Sequence, residues 1–495
     1  EKNGNESFDI RSITPSDTSG MVHVSWKHFG VYLGEKSNIY KSFRINRDNL
    51  DELYKDSAIY FTYLKSATTK PGDHIKKDIG NGLTLIMPLS LYGNKERTYP
   101  PADSSDWNLL EKRLKQLPAE NLKSNALDVR LANIVIAWNV FQHFYPYFDV
   151  VNADWEAELT RSLEKTFSVN SVADYYKVLA EMTSKLADAH VNISGTNITG
   201  YGVKIKVDLL GNDVVVLASG SDMIKKGDVI LSIDGHDALS EIKEKEKLIS
   251  ASSNVKQYHA ISAFGIRFDE KDAKITLLRD SKEITIKEKR VLLTNQFFRR
   301  EIPNQIIDFG DSIYYLKGEI QDINNVLTRI KNAKGLIIGS AGQLWSLLPH
   351  MITKPVWSAN FLVPVAIYPD RENIIWSESH WLLEPEEPFI NAKFVVLTNP
   401  SDQSSSETVL GIVNNYKLAT FAGDTTAGCN GNINSIGLID NYSIRWTGMK
   451  VLKHDGSQHH LIGFNPEYPV IRTKETVLQG RDEYLEKAKA ILREK

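Results

Sequence analysis

The sequence of 495 residues contains a single cysteine, Cys429. One cysteine cannot form an intramolecular disulfide or a multi-cysteine zinc site, so both kinds of scaffold are excluded. Charges nearly cancel, with 59 Lys and Arg against 62 Asp and Glu, so no basic excess exists to attract nucleic acid or an anionic membrane. No apolar run approaches the roughly 18 residues that a transmembrane helix needs, and internal repeats are also missing.

The composition that remains is ordinary for a globular protein, with 42% hydrophobic and 24% charged residues. At about 150 residues per domain, the length predicts roughly three domains. The chain starts at Glu1 and stays polar to Ser7. We expect this start to follow the removal of a signal peptide or lipid-anchor segment, which predicts a location in the cell envelope or outside the cell.

Composition and periodicity divide the chain into four predicted parts, which make it a multidomain α+β protein. Alternating stretches at 21–26, 58–63 and 83–86 predict an N-terminal β-rich domain over 1–100, followed by a linker at 100–105. Apolar residues at helical spacing, among them Ile134 and Phe141, predict a helical segment over 106–200. Short strands return over 201–291, and the last part spans 292–495.

The last part alternates strands with helices. Its buried-strand candidates are continuous apolar runs at 313–316, 335–339, 394–398 and 419–423, and an amphipathic helix at 480–492 closes the chain. Continuous apolar strands separated by helices are typical of a parallel sheet covered on both faces. The sequence therefore predicts an α/β layered core.

A serine cluster follows one of these strands, at Ser404, Ser405 and Ser406, just before the helix that Glu407 opens. A hydroxyl placed there would lie at the carboxyl edge of the sheet, where α/β folds put their sites, beside the amides of a helix N-terminus. The same spacing of Ser404 and Glu407 also fits a capping box. The pattern alone favours capping over a nucleophile, and one serine can do both.

Five motifs, in order, resemble the S41 family of serine peptidases, which includes tail-specific peptidases and the tricorn core. Residues 186–190 are similar to its Leu-x-Asp-x-His signature, and residues 399–407 to its nucleophile turn. Residues 423–428 and 463–467 resemble two later elements, and residues 201–291 resemble a PDZ domain. The resemblance covers about residues 125–495. It implies a ClpP/crotonase-like core and hydrolysis of peptide bonds through an acyl-enzyme.

The resemblance also implies roles for particular residues. Ser404 maps to the nucleophile, with Ser405 and Ser406 as alternatives if the register slips. The lysine base of the Ser-Lys branch would fall at Cys429, so that dyad is missing, and the tricorn-like branch instead maps its base to His190. A neutral imidazole can take a hydroxyl proton at pH 7.

Two departures from the family pattern affect the predicted site. The third group, a glutamate in the tricorn-like branch, falls at His460, which leaves His460, Gln458 or another group to orient the base. The Asp-x-Arg-Gly of the family's oxyanion segment is replaced at 339–342, where Gly342 is kept. We assign the amides of Gly342 and Ser405 as oxyanion donors.

Two functions remain in competition. The favoured one is a serine endopeptidase that acts on peptides or proteins, captured partly by the PDZ-like unit as an added strand. The other is a non-catalytic peptide-binding protein that retains the fold, which the two departures favour. No Gly-x-Ser-x-Gly elbow surrounds these serines, which argues against an ordinary α/β hydrolase.

No cofactor or metal is expected. His454, His459 and His460 lie close in sequence but form no His-Glu-x-x-His motif. Cys429 is a possible rival nucleophile, although a single cysteine after a glycine is more often a small packed residue. The oligomeric state stays open.

Overall fold

The computed structural model describes residues 9–29, 41–45, 69–94, 97–101, 104–116, 122–195, 199–292, 305–366, 371 and 374–494. The predicted strand at 58–63 and the polar start at 1–7 lie outside the described residues. None of the described helices combines the length and the apolarity that crossing a membrane requires.

The secondary structure alternates between strands and helices along the chain. The described helices are α1 (Ser104–Lys115), α2 (Leu127–Phe144), α3 (Trp155–Phe167), α4 (Val172–Ser184), α5 (Ala238–Glu246), α6 (Ser253–Ser262), α7 (Ile323–Ile330), α8 (Leu344–Leu347), α9 (Ser405–Asn415), α10 (Lys474–Leu478) and α11 (Glu483–Arg493). Short 3₁₀ helices lie at Ile10–Ile13, Ala341–Gln343, Leu348–Met351 and Ile439–Asn441.

The described strands are β1 (Val22–Phe29), β2 (Lys41–Ile45), β3 (His74–Asp78), β4 (Thr84–Pro88), β5 (Ser90–Gly93), β6 (Asn192–Ser194), β7 (Tyr201–Gly202), β8 (Ile205–Leu210), β9 (Asp213–Ser219), β10 (Val229–Ile233), β11 (His236–Asp237), β12 (Ala273–Arg279), β13 (Lys282–Glu288) and β14 (Val291–Leu292). They continue with β15 (Gln305–Asp308), β16 (Ile313–Lys317), β17 (Gly335–Ile338), β18 (Val356–Trp357), β19 (Phe361–Ala366), β20 (Ile375–Ser379), β21 (Leu382–Leu383), β22 (Lys393–Thr398), β23 (Thr420–Gly423), β24 (Ile433–Gly437), β25 (Ser443–Thr447), β26 (Lys450–Val451) and β27 (Tyr468–Pro469).

The first sheet joins the start of the chain to its second half. Strand β1 pairs with β2 and β5, and its end pairs antiparallel with β19, where Phe29 lies opposite Val365. Strand β19 in turn pairs with β20 and β26. The predicted strands at 21–26 and 83–86 are confirmed. The predicted linker at 100–105 is wrong at its end, because α1 already begins at Ser104.

Helices α2, α3 and α4 build a core together with a small sheet, β24-β25-β6. The helical spacing in α2 places Ile134 and Phe141 on the same face, where both are fully buried, and Phe141 packs edge-on against Trp446 of β25. Asp154 and Ser171 cap α3 and α4 by accepting backbone amides. Helices α2, α3 and α4 therefore share their core with residues more than 250 positions further along the chain.

The β-module, residues 201–292, contains a sheet of order β13-β12-β10-β9-β8, with β11 paired to β10 and helices α5 and α6 beside it. Alternate residues of β9 point inward, so that Val214 and Val216 lie in the core of the module while Val215 packs with Val477 of α10. The segment around α10 thus ties the module to the end of the chain.

The α/β core has a mixed sheet of order β15-β16-β17-β22-β23-β27, in which the strands from β16 onward run parallel and β15 joins antiparallel. One face, including Ile338 and Val396, packs with residues of α7 and α9. The other, including Ile337 and Val395, packs with α11. Burial on both faces explains the continuous apolar runs, and the predicted strands and closing helix are confirmed.

Parallel strands bring the segments that follow them to one edge of the sheet. Residues 339–343 follow β17, residues 399–404 follow β22, and residues 424–430 follow β23. The serine cluster, the glycine of the predicted oxyanion segment and the lone cysteine therefore meet at this carboxyl edge.

Candidate active site

Ser404 lies between β22 and α9 in a backbone conformation that is rare for a residue with a side chain, with φ 59° and ψ −127°. Its amide is fixed by a 2.8 Å hydrogen bond to the carbonyl of Cys429. Such a conformation costs about 1–3 kcal/mol and persists only where the surroundings enforce it. The strained turn leaves the Ser404 side chain half-buried at the start of a helix.

The capping-box interpretation of this serine is wrong. Ser404 occupies the N-cap position of α9 without a side-chain capping hydrogen bond. Glu407 does not reach back to the turn, because its carboxylate accepts hydrogen bonds from the Gly428 and Cys429 amides, each at 2.7 Å, and from the Thr426 hydroxyl. The Ser404 hydroxyl is thereby left out of the capping of the helix.

Glu407 is a buried anion that fixes the segment after β23 against α9. His459 lies beside it, with its Nε2 3.1 Å from Glu407 Oε2. Burial by itself raises the pKa of Glu407, but His459 and the hydrogen bonds from Thr426 and Cys429 outweigh it and hold that pKa below its ordinary value. The ionised carboxylate keeps Cys429 in place beside the nucleophile turn.

His190 lies in the turn after α4, which reverses at Ala187 with a positive φ of 51°. Its Nδ1 is 2.8 Å from the hydroxyl of Thr447 and 3.1 Å from the Sγ of Cys429. The Thr447 hydroxyl donates to Asp188 Oδ1 at 2.7 Å, and the Thr447 amide donates to Asp188 Oδ2 at 2.7 Å. Thr447 therefore connects the imidazole to a buried carboxylate.

These contacts define the protonation pattern of His190. When Nδ1–H donates to Thr447, the lone pair of the neutral imidazole lies on Nε2, which is buried without a hydrogen-bond partner among the described residues. Burial lowers the pKa of His190, and Asp188 only partly opposes it. Burial acts to raise the pKa of Asp188, yet the histidines and the Thr447 hydrogen bonds bring it below normal. A neutral imidazole beside an ionised carboxylate results.

Ser404 and His190 lie on either side of one residue, Cys429. The Cys429 carbonyl accepts from the Ser404 amide, and the Cys429 Sγ contacts the His190 ring. No direct hydrogen bond joins the Ser404 hydroxyl to His190 in the described parts of the chain. Catalytic hydrogen bonds are often long in ligand-free enzymes, and the Ser404–His190 pair stays a prediction.

His460 lies outside hydrogen-bond contact with His190 in this structure. It stacks on Tyr147, with ring centroids 3.8 Å apart, and its Nε2 is 3.4 Å from the Tyr145 hydroxyl. Burial lowers the pKa of His460 to about 4, which keeps the ring neutral. Gln458, the alternative, donates to the His460 carbonyl at 2.8 Å. Thr447, rather than His460 or Gln458, contacts Nδ1 of His190.

The two predicted oxyanion donors stand in different situations. The amide of Ser405, an exposed residue in the first turn of α9, has no hydrogen-bond partner within the described residues. The amide of Gly342 already donates to Ser340 Oγ at 3.3 Å. The structure thus leaves one donor free and gives the other a weak local partner, and their joint role stays a prediction.

Asp402, which the sequence analysis did not single out, connects the two turns that carry these donors. Its carboxylate accepts from the Asn399 amide at 2.9 Å, and the amide of Ala341 faces the same carboxylate. Burial, with help from the charge of Glu407, raises the pKa of Asp402 to about 7 despite these amides. Nothing in the local pattern distinguished this aspartate from an ordinary turn residue.

A cavity of about 950 Å³ opens between the β-module and the carboxyl edge of the core sheet. Its walls include strand β8 and helix α6 on one side and the end of β22 on the other. Representative lining residues are Asp208, Leu209, Tyr258, Gly339, Asn399 and Thr425. The cavity is large enough for several peptide residues and ends at the turn that leads to Ser404.

Part of the chain resembles a known peptidase family, and the fold resembles solved structures. Residues 363–470 match the model of peptidase family S41. No curated protein matches the sequence. Among solved structures, mature CPAF complexed with lactacystin is similar with a TM-score of 0.62 at 13% identity, covering 74% of this chain and 98% of that chain. A second structure of mature CPAF gives 0.60 at 13% identity over 74% and 97%.

The photosystem II D1 C-terminal processing protease also aligns, at 16% identity and a TM-score of 0.41, over 74% of this chain and 97% of that chain. At such identities the likeness to CPAF shows a shared fold. The matched residues 363–470 include the nucleophile turn, Cys429 and Thr447. His190 lies before the matched range.

Proposed function

Because residues 363–470 match the model of peptidase family S41, we propose that this chain is a serine peptidase with Ser404 as nucleophile and His190 as general base. The observation that carries this proposal is the strained, uncapped Ser404 at the carboxyl edge of a parallel sheet. Strain at a single serine in such a place is typical of a nucleophile held ready for attack.

In the proposed reaction, the Ser404 hydroxyl attacks the scissile carbonyl while Nε2 of His190 accepts its proton. The same proton then passes to the leaving amine, which departs and leaves an acyl-enzyme. Water, deprotonated by His190, then attacks the ester, and the proton passes from His190 to the Ser404 oxygen as the second product leaves. Supporting this, the lone pair of His190 is on Nε2 whenever Nδ1 donates to Thr447.

We propose Thr447 and Asp188 as positioning residues for the base. The imidazolium formed during the attack needs a nearby negative charge, which the family pattern would place at His460. Asp188 can supply it through the Thr447 hydroxyl, since that hydroxyl lies 2.8 Å from His190 Nδ1 and 2.7 Å from Asp188 Oδ1. The amides of Ser405 and Gly342 would hold the oxyanion.

The cavity beside β8 is the proposed substrate site. Among the described strands, β8 ends the sheet order of the β-module and pairs only with β9, so its outer edge could accept an added strand. A peptide bound along β8 would pass from helix α6 toward Asn399 and Pro400, which line the cavity with β8 and begin the turn that leads to Ser404. We propose that the module acts as a PDZ-like peptide-capturing unit.

A non-catalytic peptide-binding protein is the alternative. The occupied amide of Gly342 and the lack of a Ser404–His190 hydrogen bond among the described residues favour it. Labelling with a fluorophosphonate probe separates the two functions. A peptidase should be labelled on Ser404, and both Ser404→Ala and prior heat denaturation should remove the label. An unlabelled native protein that still binds peptides would support the alternative.

A further inference from the structure

Four side chains around His190 bring their donor atoms unusually close together. The Sγ of Cys429 lies 3.1 Å from both Asp188 Oδ1 and His190 Nδ1. The Thr447 hydroxyl lies 2.7 Å from that carboxylate oxygen, 2.8 Å from that nitrogen and 3.6 Å from the sulfur. His190 Nδ1 and Asp188 Oδ1 are 3.9 Å apart. These six distances describe four atoms arranged around one point.

We propose that Asp188, His190, Cys429 and Thr447 form a binding site for a Zn²⁺-type cation. A point equidistant from the four atoms lies about 2 Å from each, which is the length of zinc bonds to imidazole nitrogen and carboxylate oxygen. A bond to thiolate is longer, about 2.3 Å, so the Cys429 side chain would retreat slightly. All four residues are buried, and three of them offer one ligand atom each within a sphere that a single ion can bridge.

The chemistry of the donors selects the kind of cation. A sulfur and an imidazole nitrogen suit Zn²⁺ and its spectroscopic substitute Co²⁺, whereas Mg²⁺ and Ca²⁺ prefer oxygen ligands throughout. On binding, the thiol proton of Cys429 leaves to solvent and the sulfur donates an electron pair to the metal. The negative charges of Asp188 and of the resulting thiolate then balance the two positive charges of the cation in this buried site.

The surroundings hold the ligands in the required orientation. Asp188 is fixed by the Thr447 amide through its other oxygen, and the His190 amide donates to Asp188 Oδ1 at 3.0 Å. The amide of Cys429 is held by Glu407 at 2.7 Å. Hydrogen bonds to the ligand residues from their surroundings orient the ligands in metal sites and strengthen metal binding. This site departs from our expectation that the chain has no metal, which rested on His454, His459 and His460 alone.

Occupation of the site has a consequence for activity that rests on the proposed function. A neutral imidazole bound through Nδ1 carries its remaining proton on Nε2. That nitrogen then has no lone pair for the Ser404 proton, so the metal should inhibit the peptidase rather than assist it. Loss of the Thr447 hydrogen bond to Nδ1 acts in the same direction.

The test uses the whole chain and Co²⁺ alone. Because Cys429 is the only cysteine, a thiolate-to-Co²⁺ charge-transfer band in the near ultraviolet can arise from no other residue. We expect the band at a stoichiometry of one, displacement by Zn²⁺, and its disappearance in Cys429→Ser. His236→Ala, which removes an exposed histidine of the β-module, serves as the control and should keep the band.

Absence of the band in the folded wild-type chain at saturating Co²⁺, with incubation long enough for a buried site to open, would overturn the proposal. A band that survives in Asp188→Asn and in Thr447→Val, while both variants stay folded, would also overturn this four-residue site. The proposed function is read separately by fluorophosphonate labelling in the presence of a chelator. Labelling that falls roughly tenfold with Zn²⁺, and recovers with the chelator, supports both.

Discussion

The nucleophile turn, residues 399–407, and the turn that carries the proposed base, residues 186–190 (the base turn), are built in opposite ways. Ser404 stands on a strained backbone between a strand and a helix, with its side chain half-buried and its fixed contact made through its amide. His190 stands in a fully packed place and is held through its ring by side chains from distant parts of the chain. One turn is positioned by backbone geometry and the other by a side-chain network, so each should fail for a different reason.

The largest expected effect follows from removing the hydroxyl at the nucleophile turn. Ser404→Ala should lower kcat by roughly 10³-fold or more. Its melting temperature should stay close to that of the wild type, because the hydroxyl caps nothing. Ser404→Gly should be equally inactive but more stable than Ser404→Ala by about 1 kcal/mol, since glycine adopts a positive φ without strain.

Ser406→Ala provides the matched control, because it removes a neighbouring hydroxyl and leaves Ser404 in place. Its kcat should stay near the wild-type value. Full activity in Ser404→Ala together with loss in Ser406→Ala would shift the nucleophile by two positions. Loss of stability in Ser404→Ala would restore the capping interpretation.

The positioning of His190 in the base turn should be lost in a substitution of Thr447 that keeps the shape of the side chain and removes its hydroxyl. Thr447→Val should lower kcat by about 10²-fold with little change in KM, because the ring of His190 would lose its link to Asp188. Thr447→Ser should recover most of the rate, since it restores the hydroxyl. Steady-state kinetics on one peptide measures both, and an unchanged kcat in a folded Thr447→Val would remove Thr447 from the proposed relay.

Folding stability should depend on pH through Asp402, which joins the nucleophile turn to the segment that carries Gly342. Its pKa is raised to about 7 in the folded chain, whereas an unfolded aspartate titrates near 3.9. The folded state therefore binds more protons between these values, and stability falls as pH rises through this window and stays lower above it. Asp402→Asn should remove this loss.

We expect Asp402→Asn to be more stable than the wild type at pH 8, by up to about 4 kcal/mol, and to lose that advantage near pH 4. Urea unfolding at the two pH values measures the difference. Equal stabilities of the two proteins at both pH values would mean that the carboxyl group is not held in its protonated form.

The smallest effect is expected at His460, because this ring contacts Tyr145 and Tyr147 rather than the base. His460→Phe keeps an aromatic ring for stacking and should leave kcat within about threefold of the wild type. A large fall in kcat, with an unchanged melting temperature, would return His460 to the role that the family pattern suggests for its position.

The two turns also differ in how far the sequence predicted them. Strands β17 and β22 are continuous apolar runs, and the nucleophile turn follows one of them directly, so nearby residues contain all that the prediction needed. The neighbours of His190 come from positions 429 and 447, which are separated from it by more than 230 residues. Thr447 is simply one residue of an alternating strand, and no local pattern distinguishes it.

The role of Cys429 was predicted from the sequence only in part. Its position was singled out because a lysine would stand there in the Ser-Lys branch, but the sequence could not reveal that its sulfur touches His190. Asp188 was part of a recognised motif without a role of its own. Contacts of this kind depend on how the helical segment and the core pack against each other, which is a property of the complete fold.

The pairing of β1 with β19 has a consequence for any shortened version of this protein. Removing the first 100 residues would uncover part of the edge of β19, where the amides and carbonyls of Val365 and Ala366 now face β1. Exposed strand edges template pairing between molecules. A chain without this segment should therefore self-associate, with strands of separate molecules adding to one another along the exposed edge of β19.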